Sequence, residues 1–313
     1  MSRVTFPARC REIAARLHVN PPGRTPSLIA TLFGDVVEAY GGEIWLGSLS
    51  RLLAPFGISE RLVRTSVHRL AKEGFLEATR LGRRSFYRLS RSALDQVERF
   101  EQRIYYFREP PWDGKWRLIF TGTRGVSSGQ RAELRKQLNW LGFGTIAPNV
   151  YGHPSASLEP VDQLFRELKI ADQVVIMLAT NHHQIHGLGT QEMIRQCFDI
   201  TGLEQRYQTF NNRYRPLADS PEDCCQIADV DPEHAFVVRT LLIHEYRRIL
   251  LYDPGVPARL LPDGWSGIEA QRLCAKLYQA LAPPSDRYIR DWGANRHGPF
   301  QVADRRHSGR FQT

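Results

Sequence analysis

A chain of 313 residues is longer than one ordinary hydrophobic core supports, so several domains are expected, and a formal net charge of +9 favours a polyanionic partner. Five cysteines (Cys10, Cys197, Cys224, Cys225 and Cys274), an odd number with no C-x-x-C pair, argue against a disulfide framework or zinc ribbon and suit a reducing cytoplasm. The longest strongly apolar stretch, Val174 to Ala179, is far short of the roughly 20 residues a membrane span needs, and the arginine-bearing N-terminus has no apolar run of the secretory kind.

Residues 1–24 form an N-terminal arm that ends in the helix-breaking Pro21-Pro22-Gly23. Thr25-Pro26 then starts a helix, with Leu28, Ile29, Leu32, Phe33, Val36 and Tyr40 at helical spacing until Gly41-Gly42 stops it. After a short extended piece at Ile44 and Trp45, Leu49, Leu52 and Leu53 give a short helix one apolar face, closed by Pro55-Phe56-Gly57. Ser59 caps the next helix, whose stripe is Val63, Val67 and Leu70 and whose end is Gly74. Phe75 to Thr79 and Ser85 to Leu89 read as strands about a tip at Gly82. Helix, turn, helix and basic hairpin in this order predict a winged helix-turn-helix over residues 25–90.

With Val63, Val67 and Leu70 inward, the opposite face of that second helix carries Arg61, Arg64, Thr65 and His68. A recognition helix sets its N-terminal residues against base edges, where Arg pairs with guanine through two hydrogen bonds and Thr meets a thymine methyl. Arg61, Arg64 and Thr65 are therefore predicted to contact bases, with Ser59 nearer a phosphate. The hairpin's Arg80, Arg83, Arg84 and Arg88 suit phosphates or a narrow minor groove. The plainer alternative is a set of solvated surface charges.

A helix near Ser92 to Phe107, within residues 91–111, is expected to link domains, and Pro110-Pro111 follows it. Residues 112–185 then read as strand (Trp116 to Phe120), helix (Gln130 to Leu141), strand (Gly144 to Tyr151), helix (Val161 to Leu168) and strand (Gln173 to Leu178), the order of a small ferredoxin-like α/β sandwich. Residues 186–285 are α-rich, with Leu241, Leu242, Tyr246, Ile249 and Leu250 inside one helix and Leu273, Leu277 and Tyr278 inside another. Residues 286–313 are polar and arginine-rich and read as a basic, mobile tail. The class is thus α+β and multidomain: winged helix, ferredoxin-like centre, α-helical C-terminal domain. His182, His183 and His186 form either a metal-binding cluster or a polar loop beyond a strand, and the absence of a neighbouring Cys or acid at fixed spacing favours the loop. Cys224-Cys225 lie beside Glu222 and Asp223, which oppose thiolate reactivity, so ordinary thiols are expected.

Three segments carry a resemblance over nearly the whole chain: SLIATLFGDVVEAYGGEIWLGSLSRLLAPFGISERLVRTSVHRLAKEGFLEATRLGRRSFYRLS, LRKQLNWLGFGTIAPNVY and LLIHEYRRILLYDPGVPARLLPDGWSG. The chain resembles the PaaX family of bacterial transcriptional repressors. The resemblance implies the same three domains, the centre similar to CRISPR-associated nucleases, and repression of phenylacetate catabolism genes by a homodimer that phenylacetyl-coenzyme A releases. It places the DNA-contacting helix on Ser59 to Lys72 and the wing on Arg80 to Arg88. A dimer reads two half-sites, so the partner is double-stranded DNA bearing an imperfect inverted repeat.

No cofactor is expected. For an aryl-coenzyme A effector, Arg247 and Arg248, with His244 beside them, could hold phosphates, and Tyr252 and Trp265 could line an aryl pocket. The structural alternative pairs Arg247 or Arg248 with Glu245, Asp253 or Asp263, and leaves the aromatics to the core. After its first strand the central domain has Phe120-Thr121-Gly122-Thr123, a departure from the resembled family, whose members are expected to carry an aspartate there. A Mg²⁺-dependent nuclease needs carboxylates at such a strand end, so no enzyme activity is expected. A metal-dependent nuclease and a protein-binding adaptor are the alternatives to a repressor.

Overall fold

The computed structural model describes residues 5–16, 25–106, 111–122, 126–181, 189–219, 227, 229–304 and 309–311. The chain is α+β and divides into two compact units. One comprises Met1–Phe107, Thr209–Arg248 and Glu269–Thr313; the other comprises Arg108–Gln208 and Ile249–Ile268. The α-rich segment contributes residues to both units. Phe236, Val237, Leu241, Tyr288 and Ile289 share one core with Leu28, Leu32, Leu52, Val63 and Val67, so much of the C-terminal sequence completes the first unit instead of standing alone.

In that unit α1 (Phe6–Arg16) buries Phe6, Cys10 and Ala14. Helix α2 (Thr25–Leu32) runs on through a π-turn (Phe33–Val37) and a 3₁₀ turn (Glu38–Tyr40), with the predicted apolar residues buried. Strand β1 (Glu43–Trp45) leads into α3 (Leu46–Leu53), and the turn at Gly57 into α4 (Glu60–Lys72). The Ser59 hydroxyl caps α4 by accepting from the Leu62 amide at 3.3 Å, and Val63, Val67 and Leu70 are buried as their spacing predicts.

Strands β2 (Leu76–Leu81) and β3 (Arg84–Leu89) pair with Leu81 opposite Arg84, which leaves a two-residue loop. Gly82 takes φ +59 at the first loop position, where a II′ hairpin turn requires glycine. The sheet order is β1-β3-β2, antiparallel throughout. The expected linker helix is α5 (Arg91–Tyr105), and it does more than connect: Ala93, Leu94 and Val97 pack on the shared core.

Helices α6 (Ser128–Trp140) and α7 (Glu159–Glu167) belong to the second unit with strands β4 (Trp116–Phe120), β5 (Gly144–Ala147), β6 (Val150–His153) and β7 (Val175–Ala179). The sheet order is β5-β6-β4-β7, all antiparallel, over a core of Ile119, Leu134, Leu138, Tyr151, Val161 and Phe165. The single strand expected over 144–151 is a hairpin, turned at Asn149, whose φ is +62. Helix α8 (Thr190–Cys197) follows, then α9 (Ile200–Ala218), α10 (Pro232–Leu250) and α11 (Ser266–Trp292).

The stretch from Asp286, expected as a tail, is structured where it is described. It completes α11, forms the hairpin β8 (Ala294–Asn295) and β9 (Gly298–Pro299), and buries Phe300 stacked on Tyr40 at 5.0 Å. Arg310 is 5% exposed. Composition misled here because a buried arginine is satisfied by partners far away in sequence.

Candidate nucleic-acid interface

Every α4 and hairpin residue singled out from sequence is exposed: Ser59, Arg61, Arg64, Thr65, His68, Arg80, Arg83, Arg84 and Arg88. A groove of about 710 Å³ runs between α3, the following turn, the start of α4 and the hairpin, lined by Trp45, Ser50, Arg51, Ser59, Glu60, Arg64 and Arg83 among others. Two structural requirements therefore place cations around one concavity. The buried stripe of α4 turns its arginines outward, and the tight hairpin loop lifts Arg83 and Arg84 to its tip.

The guanidiniums differ in what holds them. Among the described residues Arg61 and Arg83 make no ion pair. Arg84 lies 4.9 Å over the Trp45 ring. Arg64 is paired one turn back with Glu60, the two side chains 62% and 60% exposed, an arrangement that water and salt screen. Arg88 faces Glu77 across the hairpin at 2.7 Å and Arg80 donates to the Gly82 carbonyl at 3.2 Å, so these two brace the hairpin itself. Thr65 donates to the Arg61 carbonyl at 3.0 Å.

The residues expected for an effector fall in both units: His244, Arg247 and Arg248 in the first, Tyr252 and Trp265 in the second. His244 is buried, with Nδ1 2.9 Å from the Thr31 hydroxyl, and burial, then Arg247 and Arg248, lower its pKa from 6.5 to about 3. Arg247 donates to Thr31 Oγ1 and to the Ser27 carbonyl and hydroxyl, all at 3.1 Å, instead of to Glu245, Asp253 or Asp263. Glu245 is held by Arg213. Arg248 is exposed. Tyr252 is exposed beneath the Arg206 guanidinium at 4.5 Å, and Trp265 is buried edge-on to Tyr207.

A second polar constellation escaped sequence reasoning. Asp35, 1% exposed on the π-turn, accepts at Oδ1 from the Tyr105 hydroxyl (2.7 Å), the Tyr278 hydroxyl (2.9 Å) and Arg310 (3.2 Å), and at Oδ2 from Arg239 (3.3 Å). Arg239 also binds Asp286 at 2.7 Å, and Arg310 binds Glu101 and the Gly34 carbonyl. Burial and the Asp35 charge raise the Tyr105 pKa, which keeps that hydroxyl a donor. The available signal was one acid on an otherwise apolar helical face.

At the end of β4, Thr121 is buried, and its amide donates to the Asn149 carbonyl at 2.9 Å. Among the described residues no group of three or more His, Cys, Asp or Glu side chains is placed to hold a metal, and no helix is long and apolar enough to cross a membrane. His182, His183 and His186, and Cys224 and Cys225, lie outside the described residues.

Family models match the chain in three consecutive pieces: a PaaX-like protein over residues 24–93, the PaaX protein central Cas2-like domain over 109–194, and the PaaX-like protein C-terminal domain over 198–291. The transcriptional repressor PaaX of Escherichia coli strain K12 is 39% identical over 285 residues, 91% of this chain and 89% of that protein. An uncharacterized protein from Mycobacterium tuberculosis shares the fold, with a TM-score of 0.54 at 23% identity, across 84% of this chain and 99% of that one.

Proposed function

From the premise that this chain belongs to the PaaX family, we propose that it is a DNA-binding transcriptional repressor of phenylacetate catabolism genes, released from its operator by phenylacetyl-coenzyme A or a related aryl thioester. The observation that carries the reading is the groove beside α4, bordered by exposed guanidiniums of which Arg61 and Arg83 make no ion pair among the described residues. The α3-turn-α4 pair with the β1-β3-β2 sheet supports a winged helix-turn-helix, α4 entering the major groove and the β2–β3 loop lying on the backbone. The β-α-β-β-α-β order of the second unit, with strands arranged β5-β6-β4-β7, supports a ferredoxin-like sandwich. That unit serves spacing or dimer contact instead of catalysis, because Thr121 stands where a metal-binding strand end needs a carboxylate.

A homodimer would read an imperfect inverted repeat. Of the residues expected for the effector, Arg248 is exposed in one unit and Tyr252, beneath Arg206, is exposed in the other, while His244, Arg247 and Trp265 are engaged in the packing of their own units. The test is a mobility-shift titration on DNA upstream of the protein's own gene, with phenylacetyl-coenzyme A, acetyl-coenzyme A and free coenzyme A. Retention that only the aryl thioester relieves is the expected result. Retention indifferent to every thioester would remove the effector, and absence of retention would remove the repressor. Linkage further requires operator DNA to weaken effector binding by the same factor with which effector weakens DNA binding, a coupling free energy of typically about 1–3 kcal/mol.

A further inference from the structure

We propose that the DNA-facing surface extends to Arg51 on α3 as a phosphate contact, and that Trp292, the last residue of α11, is the positioning residue that holds it. The inference rests on the DNA-binding reading and adds to it a residue and a C-terminal element that the helix-and-wing pattern leaves out. Arg51 lines the same groove as Arg64 and Arg83, is exposed, and makes no ion pair among the described residues. Its guanidinium carbon lies 5.3 Å from the centre of the Trp292 ring, which is itself 41% exposed.

The groove repeats this device at the hairpin, where Arg84 lies over Trp45. Space for the Trp45 indole comes from Gly47: a Cβ there would fall 2.5 Å from the ring. An arginine stacked on an indole keeps its N–H edge turned outward, and because its side chain is already ordered it gives up less rotamer freedom when it takes a phosphate. In helix-turn-helix proteins the helix before the turn crosses the DNA backbone, and α3 is that helix. Tyr288 and Ile289 anchor the end of α11 in the core shared with α4, so Trp292 is set by the C-terminal helix and not by a loose terminus. A change in α11 would therefore reach the phosphate contact through one indole.

Full-length Arg51→Gln, Trp292→Leu, Trp292→Phe and the double variant Arg51→Gln/Trp292→Leu test this, with Arg83→Gln as the control for DNA binding itself. Anisotropy titrations on duplex DNA over a salt series supply the affinities and slopes, and urea midpoints report the fold. Arg51→Gln should weaken all duplexes alike and flatten the logarithmic salt slope by about 0.9. Trp292→Leu should weaken binding about two- to five-fold, Trp292→Phe should keep most of the affinity, and the double variant should be no weaker than Arg51→Gln alone. If Arg83→Gln weakens binding while Arg51→Gln leaves the slope unchanged, or the two losses simply add, the inference is wrong and the DNA reading stands. If Arg83→Gln also changes nothing, the DNA reading itself fails.

Discussion

Arg64 and Glu60 stand one turn apart on the exposed face of α4, and an exposed pair of this kind contributes only about 0.3–0.5 kcal/mol. A guanine edge offers Arg64 two acceptors in the geometry of its fork, so DNA should displace Glu60 readily. Arg64→Ala is expected to cost about 1–3 kcal/mol on the cognate operator and to relax the preference at one base position. Glu60→Gln, which frees the guanidinium and removes a like charge facing the phosphates, should tighten binding. Quantitative shift assays against single-base operator variants check both, and a uniform loss across all sequences would reassign Arg64 to the backbone.

His244 gives a pH dependence of stability with a definite sign. Its pKa is lowered from 6.5 to about 3 in the fold, so the unfolded chain binds the proton first. The stability that the neutral ring contributes is complete above pH 6.5 and is lost as pH falls towards 3. His244→Gln should flatten the fall of the urea midpoint across that window, and an unchanged fall would place the responsible group elsewhere.

At the scale of elements, the π-turn matters because it carries Asp35 into contact with two arginines and two tyrosines contributed by α5, α10, α11 and the C-terminal stretch. Removing one member of a buried ionic group leaves the others uncompensated, at about 3–5 kcal/mol. Asp35→Asn should cost that much in denaturant unfolding, and a variant within experimental error of the parent would mean that the cluster is ornamental. The apolar stripe of α4, its Ser59 cap and the Gly82 tip are local signals, and they made that helix and the β2–β3 hairpin legible in the sequence. Asp35 was not legible, because its partners Arg239, Tyr278 and Arg310 are more than 200 residues away in the chain. The β5–β6 hairpin was missed because its turn rests on Asn149, a residue tolerated at positive φ but not diagnostic of it. For the candidate effector residues, sequence gave the residue types but not that His244, Arg247 and Trp265 are engaged inside packed cores.

Over the whole molecule, the core that orients α4 is built from both ends of the chain. Phe236 meets Phe56 edge-on at 5.8 Å and stacks on Tyr288 at 5.1 Å, so α10 and α11 back the turn that precedes α4. The first compact unit is accordingly assembled from three stretches of the chain, Met1–Phe107, Thr209–Arg248 and Glu269–Thr313. The claim on which the functional account depends is that the groove between α3, α4 and the hairpin meets duplex DNA through its guanidiniums. The most direct measurement is equilibrium binding of the full chain to a duplex from its own upstream region over a salt series, beside the combined variant Arg61→Gln, Arg83→Gln and Arg84→Gln. The account predicts that the variant loses its preference for that duplex over an unrelated one, and that its logarithmic salt slope is shallower by about 0.9 for each phosphate contact removed. Equal affinity and equal slope in the two proteins would contradict it.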